Sequence, residues 1–375
     1  MSARFSSTRK ALFAALFAGI LVVACSDDTL VSPDRPQESE LSLYDLAPDV
    51  QIQELRPATL VLERNTARLM DRQGVVATAI GLTDAGRPAI NMYVDGLVLD
   101  DVEEIGGIPV IVIESGPIVA LQEAQERGDS EPQKKCENPP CNGGGGNGGG
   151  GGGFDPTAKH RPAPNGSSVG HPLITAGTLG AVVTKGGRTY ILSNNHVLAN
   201  SNSANNGNLT LQPGPFDGGT SADRIGTLSQ FVSINFAGGN NVVDAAIAEV
   251  DDASDVTGTA PSYGAPRTNA ITASVGMRVM KHGRTTGFTK GRVQGIGATV
   301  NVNYGSAGVA RFVGQVIIGG GGFSQGGDSG SLIVVEKGAN ARRPVGLLFA
   351  GGGGTTVANP IADVLSALNV SIVGN

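Results

Sequence analysis

Ten of the eleven residues at 143–153 are glycine, interrupted only by Asn147. A stretch with almost no side chains buries no apolar surface and behaves as flexible coil. Whatever folds here must fold on either side of that tract, and the text on the two sides differs. The spacing places a Gly-rich linker over 128–165, a small α+β domain over 51–127, and a larger body over 166–375.

The larger body reads as all-β. Short runs rich in β-branched and apolar residues fall at 180–184, 189–193, 209–212, 242–250, 277–281, 291–302, 309–318, 331–335 and 345–350, separated by Gly, Asn and Pro. Many short strands with turn signals between them predict a barrel or sandwich. The end differs. Asn359 reads as a cap, Pro360 as the first helical residue, and Ile361, Val364, Leu365 and Leu368 fall at i, i+3, i+4 and i+7. That pattern predicts a C-terminal amphipathic helix on a β body. In the smaller domain Leu55, Ala58, Leu62 and Leu69 share one helix face, with Gly74 as a stop. A hairpin over 75–82 and 88–94 follows, then a strand at 108–113. Asp100, Asp101, Glu103 and Glu104 read as a solvated acidic face rather than a metal site.

Composition removes one class of partner. The formal net charge is −6, aromatics are 4% and there is no Trp. With neither a basic surface nor a stacking platform, nucleic acid is not expected.

The chain opens like an export signal. Arg4, Arg9 and Lys10 precede a nearly unbroken apolar run at 11–24, too short for a spanning helix of about 20 apolar residues but suited to a signal core. The run ends Val22-Val23-Ala24-Cys25, which resembles the lipobox of bacterial lipoproteins. The resemblance implies removal of 1–24, lipid on Cys25, a tether over 25–50 and a place in the cell envelope. Ser26 follows the cysteine, and Asp27 and Asp28 come one place later, so outer membrane, periplasmic face and cell surface stay open, as does later release. The other cysteines, Cys136 and Cys141, sit close enough to close a small disulfide loop after export, or to remain free thiols. No second Cys/His pair gives zinc spacing, and no cofactor is expected.

The chemistry concentrates at Gly326-Gly327-Asp328-Ser329-Gly330-Ser331. A serine hydroxyl must be presented and activated to attack. Small neighbours let the backbone curl tightly, so that the N–H groups of Gly327 and Ser329 point at one spot where an oxyanion could be held. The base should be histidine. Of the four, His160 and His171 lie in or beside the linker and His282 in a turn-like Lys-His-Gly-Arg. His196 instead follows a strand, in Ser193-Asn194-Asn195-His196-Val197-Leu198. Asp244 is the one acid in Asn241-Val242-Val243-Asp244-Ala245-Ala246-Ile247-Ala248, an otherwise apolar strand, and a buried carboxylate needs a partner.

In the order His196, Asp244, Ser329 these motifs resemble the trypsin/chymotrypsin-like serine proteases. His282-Gly283-Arg284-Thr285-Thr286-Gly287 resembles a turn of their bacterial branch, the streptogrisin and α-lytic-protease-like enzymes. The resemblance spans roughly 170–370 and implies two six-stranded antiparallel β-barrels with the site in the cleft between them. It implies Ser329 as nucleophile, His196 as base, Asp244 as its orienting acid and the Gly327 and Ser329 N–H groups as oxyanion hole. It implies an ion pair between Asp328 and Lys281, and a protein or peptide substrate. It places Phe323 at the base of the pocket for the residue before the cut (P1), and a substrate-pairing edge at 346–351. Phe323 is no acid, so a small or apolar residue is expected there. It also makes a pro-region one role for 51–127, beside a spacer or an assembly domain. One departure is that 170–375 contains no cysteine. An α/β-hydrolase is excluded, because no histidine follows Ser329. The remaining rival is a non-catalytic, protease-like binding module. The oligomeric state is not legible.

Overall fold

A computed structural model describes residues 42–96, 102–121 and 153–375, all within the compact unit Leu41–Asn375. The export signal, Cys25, Asp100, Asp101, Cys136, Cys141 and most of the glycine tract lie outside the described residues.

The fold is mostly β with few helices. Two sheets carry it. A six-stranded sheet runs in the order Leu209–Leu211, Arg224–Phe231, Ala246–Val250, Arg188–Ser193, Ala181–Lys185, Ser371–Ile372. The second sheet has twelve strands, and six of them form a closed circuit of antiparallel pairings. Arg278–Gly283 pairs with Gly287–Asn303, then come Val309–Gly319, Thr355–Pro360, Pro344–Gly352 and Leu332–Val335, which returns to Arg278–Gly283. The Ile361–Leu368 helix buries Ile361, Val364 and Leu368 in a core shared by both sheets, with Leu192 and Ile247 from one and Leu332 and Leu347 from the other. That shared core fixes the two sheets against each other, with the site at their junction.

The second sheet exceeds six strands because the N-terminal segment adds to it. The Pro48–Met70 helix buries Leu55, Ala58, Leu62 and Leu69 on one face. It packs on the Val75–Leu82 and Pro88–Val94 hairpin. Val75–Leu82 pairs with Gly287–Asn303, and Ile108–Glu114 runs parallel to Pro88–Val94. Buried Gln51 ties the helix to the second sheet's side: its Nε2 donates to the Val275 carbonyl at 2.9 Å and its Oε1 accepts the Val275 N–H at 2.7 Å. A buried amide satisfied on both atoms is costly to pull apart. Residues 42–121 are thus continuous with the second sheet rather than set apart from it.

Four local expectations need correction. The strand expected over 242–250 begins only at Ala246. The backbone of Asp244 is spent on side chains instead: its N–H goes to Asn359 Oδ1 and its carbonyl accepts Asn194 Nδ2. His196 lies not at a strand end but in the one-turn helix Asn195–Leu198. Asn359 does not cap the last helix; it lies in the strand Thr355–Pro360 and turns its amide onto Asp244, leaving Pro360 as an N-cap without a side-chain bond. The linker stops by residue 153, since Phe154 stacks on His160 at 4.7 Å and the Ala163 N–H reaches the Asp255 carbonyl. The strands Arg224–Phe231 and Thr355–Pro360 were not expected at all.

Candidate active site

His196, Asp244, Lys281, Asp328 and Ser329 have no solvent exposure. Asp244 is bonded through both carboxylate oxygens. Its Oδ2 lies 2.5 Å from His196 Nδ1 and accepts the Tyr304 hydroxyl at 2.8 Å, while Oδ1 accepts the His196 N–H at 3.3 Å. Each bond takes up a lone pair that burial would otherwise strand. Burial, and then the Asp244 charge, push the Tyr304 phenol well above its ordinary range. Tyr304 therefore stays protonated and donates. Its ring also meets the imidazole edge-on, with centroids 5.8 Å apart.

The one-turn helix is held from behind. Asn195 Nδ2 donates to the Val232 carbonyl and to Asn202 Oδ1, and Asn195 Oδ1 accepts the Asn202 N–H. These bonds set where the imidazole sits relative to Asp244.

Ser329 sits between two glycines in left-handed conformation, Gly327 at φ 90° and Gly330 at φ 96°. A Cβ at Gly330 would strike Ser193 Oγ and the Thr178 carbonyl. That close approach seats the serine loop on the strand leading to His196. The Ser329 carbonyl accepts the Thr178 N–H at 2.7 Å, and a Cβ on Gly177 would meet both that carbonyl and the side chain of Val197, the residue after His196. The Ser329 hydroxyl donates to the Phe349 carbonyl at 3.1 Å. The Gly327 N–H donates to the Leu121 carbonyl at 2.8 Å.

Asp328 braces the loop. It accepts Lys281 Nζ at 3.1 Å, the N–H groups of Thr285, Thr286 and Gln325 at 2.9, 3.1 and 3.0 Å, and the Thr286 hydroxyl at 2.7 Å. Burial pulls the Lys281 pKa down and the Asp328 charge opposes the shift. Phe323 is buried, lines a pocket with Ser324, Gly351–354, Thr355, Thr356 and Leu121, and lies 5.9 Å from Lys281 Nζ at its ring centroid. Among the described residues no cluster of His, Cys, Asp or Glu is placed to hold a metal ion.

Sequence reading missed Tyr304, Asn359 and Leu121. None has a local signal: a tyrosine in a turn, an asparagine before a proline and a leucine just after a short strand look ordinary until the chain folds.

A family model described as the Nal1 C-terminal domain matches residues 250–359. That span includes Lys281, Tyr304, Gly327, Asp328 and Ser329 but neither His196 nor Asp244. Streptogrisin-A of Streptomyces griseus is 34% identical over 106 residues, which are 28% of this chain and 34% of that protein. The chain is similar to the bacterial chymotrypsin-like serine proteases. It spans about a third of the length of that curated relative. A solved glutamic-acid-specific serine protease matches with a TM-score of 0.42 at 23% identity, over 56% of this chain and 100% of that one. Thermobifida fusca protease A matches with a TM-score of 0.40 at 19% identity, over 57% and 100%.

Proposed function

We propose that the chain is an exported serine endopeptidase. Ser329 attacks the scissile carbonyl, His196 takes the proton and returns it to the leaving amine, and Asp244 holds the imidazole. The Gly327 and Ser329 N–H groups stabilise the oxyanion, where losing one donor typically costs about 10²–10³ in rate. The observation that carries the reading is the buried contact between His196 Nδ1 and Asp244 Oδ2 at 2.5 Å, on a carboxylate whose other bonds come from Tyr304 and the His196 N–H. A carboxylate held in this way fixes the imidazole's orientation, which a base taking the Ser329 proton requires.

The sequence of the first residues supports removal of 1–24, lipidation of Cys25, a tether over 25–50 and residence in the cell envelope. Protein or peptide is the substrate, and no cofactor takes part.

Prolonged incubation of the full chain with a fluorophosphonate, followed by intact mass, tests the reading. Wild type gains one adduct on Ser329, whereas Ser329→Ala and His196→Ala gain none. A wild type that stays unlabelled overturns the proposal in favour of a binding module.

A further inference from the structure

Residues 119–121 meet the site at three points. Val119 and Ala120 pair antiparallel with Gly351 and Ala350. The Leu121 N–H donates to the Phe349 carbonyl at 3.1 Å, the same oxygen that takes the Ser329 hydroxyl. The Leu121 carbonyl accepts the Gly327 N–H at 2.8 Å. Leu121 is thus held by its N–H and by its C=O, with the nucleophile bonded alongside.

The side chain agrees. Leu121 is 9% exposed and packs in the core cluster of Phe323, Val316, Ile318 and Leu348. The pocket it lines contains glycines, Thr355, Thr356, Ser324 and Phe323, with no charged group. A Cβ on Gly351 would come within 3.3 Å of Leu121 Cδ1, and one on Gly352 or Gly353 would strike the carbonyls of Pro117 or Ser115. The glycine run at 351–354 therefore leaves room for both a leucine side chain and the backbone that leads to it. From the other side the Asn303 N–H binds the Ile118 carbonyl at 2.9 Å. The segment is clamped between two strands and covers Ser329, which has no exposure.

We infer that residues 119–121 occupy the substrate groove in substrate register. Leucine is then the residue the pocket selects, and the bond after Leu121 is the first the site cuts. This rests on the serine-protease reading above. In that cut the Ser329 oxygen bonds to the Leu121 carbonyl carbon and the C–N bond to Gln122 breaks. The hydroxyl proton passes through His196 to the departing amine. Water then attacks the ester, Ser329 regains its proton, and Leu121 ends as a carboxylate. The cut segment stays clamped by its backbone pairing, so the site remains covered until residues 42–121 leave.

The test uses the purified full chain. Wild type yields a fragment ending at Leu121 and a second beginning at Gln122 by mass spectrometry, and Ser329→Ala yields neither. Once the fragment has been removed, acetyl-Val-Ala-Leu p-nitroanilide is cleaved more than about 100-fold faster than the Lys or Glu counterparts. One absent or misplaced group in an apolar pocket is already worth 10–200-fold. In Leu121→Asp, cutting after residue 121 falls by a similar factor. Labelled Ser329 with no cut after Leu121, or with equal turnover of the three peptides, overturns this inference and leaves the protease reading standing. Absence of both label and cut overturns both.

Discussion

Replacing Lys281 by methionine removes one positive charge from the centre of the fold while keeping most of the side chain's length and volume. Lys281 Nζ lies 3.1 Å from Asp328 Oδ2 and 3.3 Å from the Gly287 carbonyl, and it also bonds the Thr286 hydroxyl. Removing one partner of a buried pair typically costs about 3–5 kcal/mol, because the remaining charge stays buried. Here four other donors still reach Asp328: three backbone N–H groups and the Thr286 hydroxyl. The cost therefore falls at the lower end, about 3 kcal/mol. At about 2–4 °C per kcal/mol for a chain of this scale, Tm drops by roughly 6–12 °C. The loop carrying Gly327 and Ser329 loses a brace, so kcat/KM on the leucyl peptide falls at least about tenfold. Adding Asp328→Asn to the variant removes the stranded charge and recovers part of the Tm. Differential scanning calorimetry and steady-state kinetics read both effects. A Tm within about 1 °C of wild type together with unchanged kcat/KM refutes the reasoning, and a double variant no more stable than the single one assigns the loss to packing.

Tyr304→Phe deletes the hydroxyl 2.8 Å from Asp244 Oδ2. A hydrogen bond to a charged group is worth about 1.5–3 kcal/mol, so kcat/KM falls by about 10–100-fold if that bond orients the imidazole, and a loss below twofold counts against it. His282 has its pKa lowered to about 4 from 6.5, by burial first and then by the Lys281 charge, with Asp328 opposing. Between those values the unfolded chain binds a proton that the fold refuses, so stability falls as pH drops from 6.5 to 4, by roughly 3 kcal/mol in total. Urea midpoints across that window should slope less steeply in His282→Gln, and parallel slopes contradict the assignment. A Cβ on Gly283 would sit 2.6 Å from Ser331 Oγ and strike the Asp328 carboxylate. Overpacking of about 1–3 kcal/mol makes Gly283→Ala lower Tm by at least about 2 °C, and an unchanged Tm would mean that the loop yields without cost.

Much of the β text was legible because alternation and turn residues act locally. The 75–82 and 88–94 hairpin and the 309–318 strand are examples, within a residue of their observed ends. Expectations failed where a side chain far away in sequence claimed the backbone. Asn359, 115 residues beyond Asp244, takes its N–H, and the strand begins only at Ala246. The helical turn at Asn195–Leu198 is anchored through the Asn195 side chain, which bonds Val232 and Asn202.

Residue type alone determined which atoms are able to do chemistry here. One serine among glycines, one histidine in an apolar setting and one aspartate beside Val243 and Ala245 follow from local composition, and so does a chain broken at its glycine tract. Tertiary structure decided what surrounds those atoms. The Tyr304 bond to Asp244, the Asn359 bond to the Asp244 N–H and the seat of Leu121 beside Gly327 each join segments from 60 to more than 200 residues apart. No local pattern encodes such pairings, because each is stable only once two sheets have buried a common core and excluded the water that would otherwise satisfy the same groups.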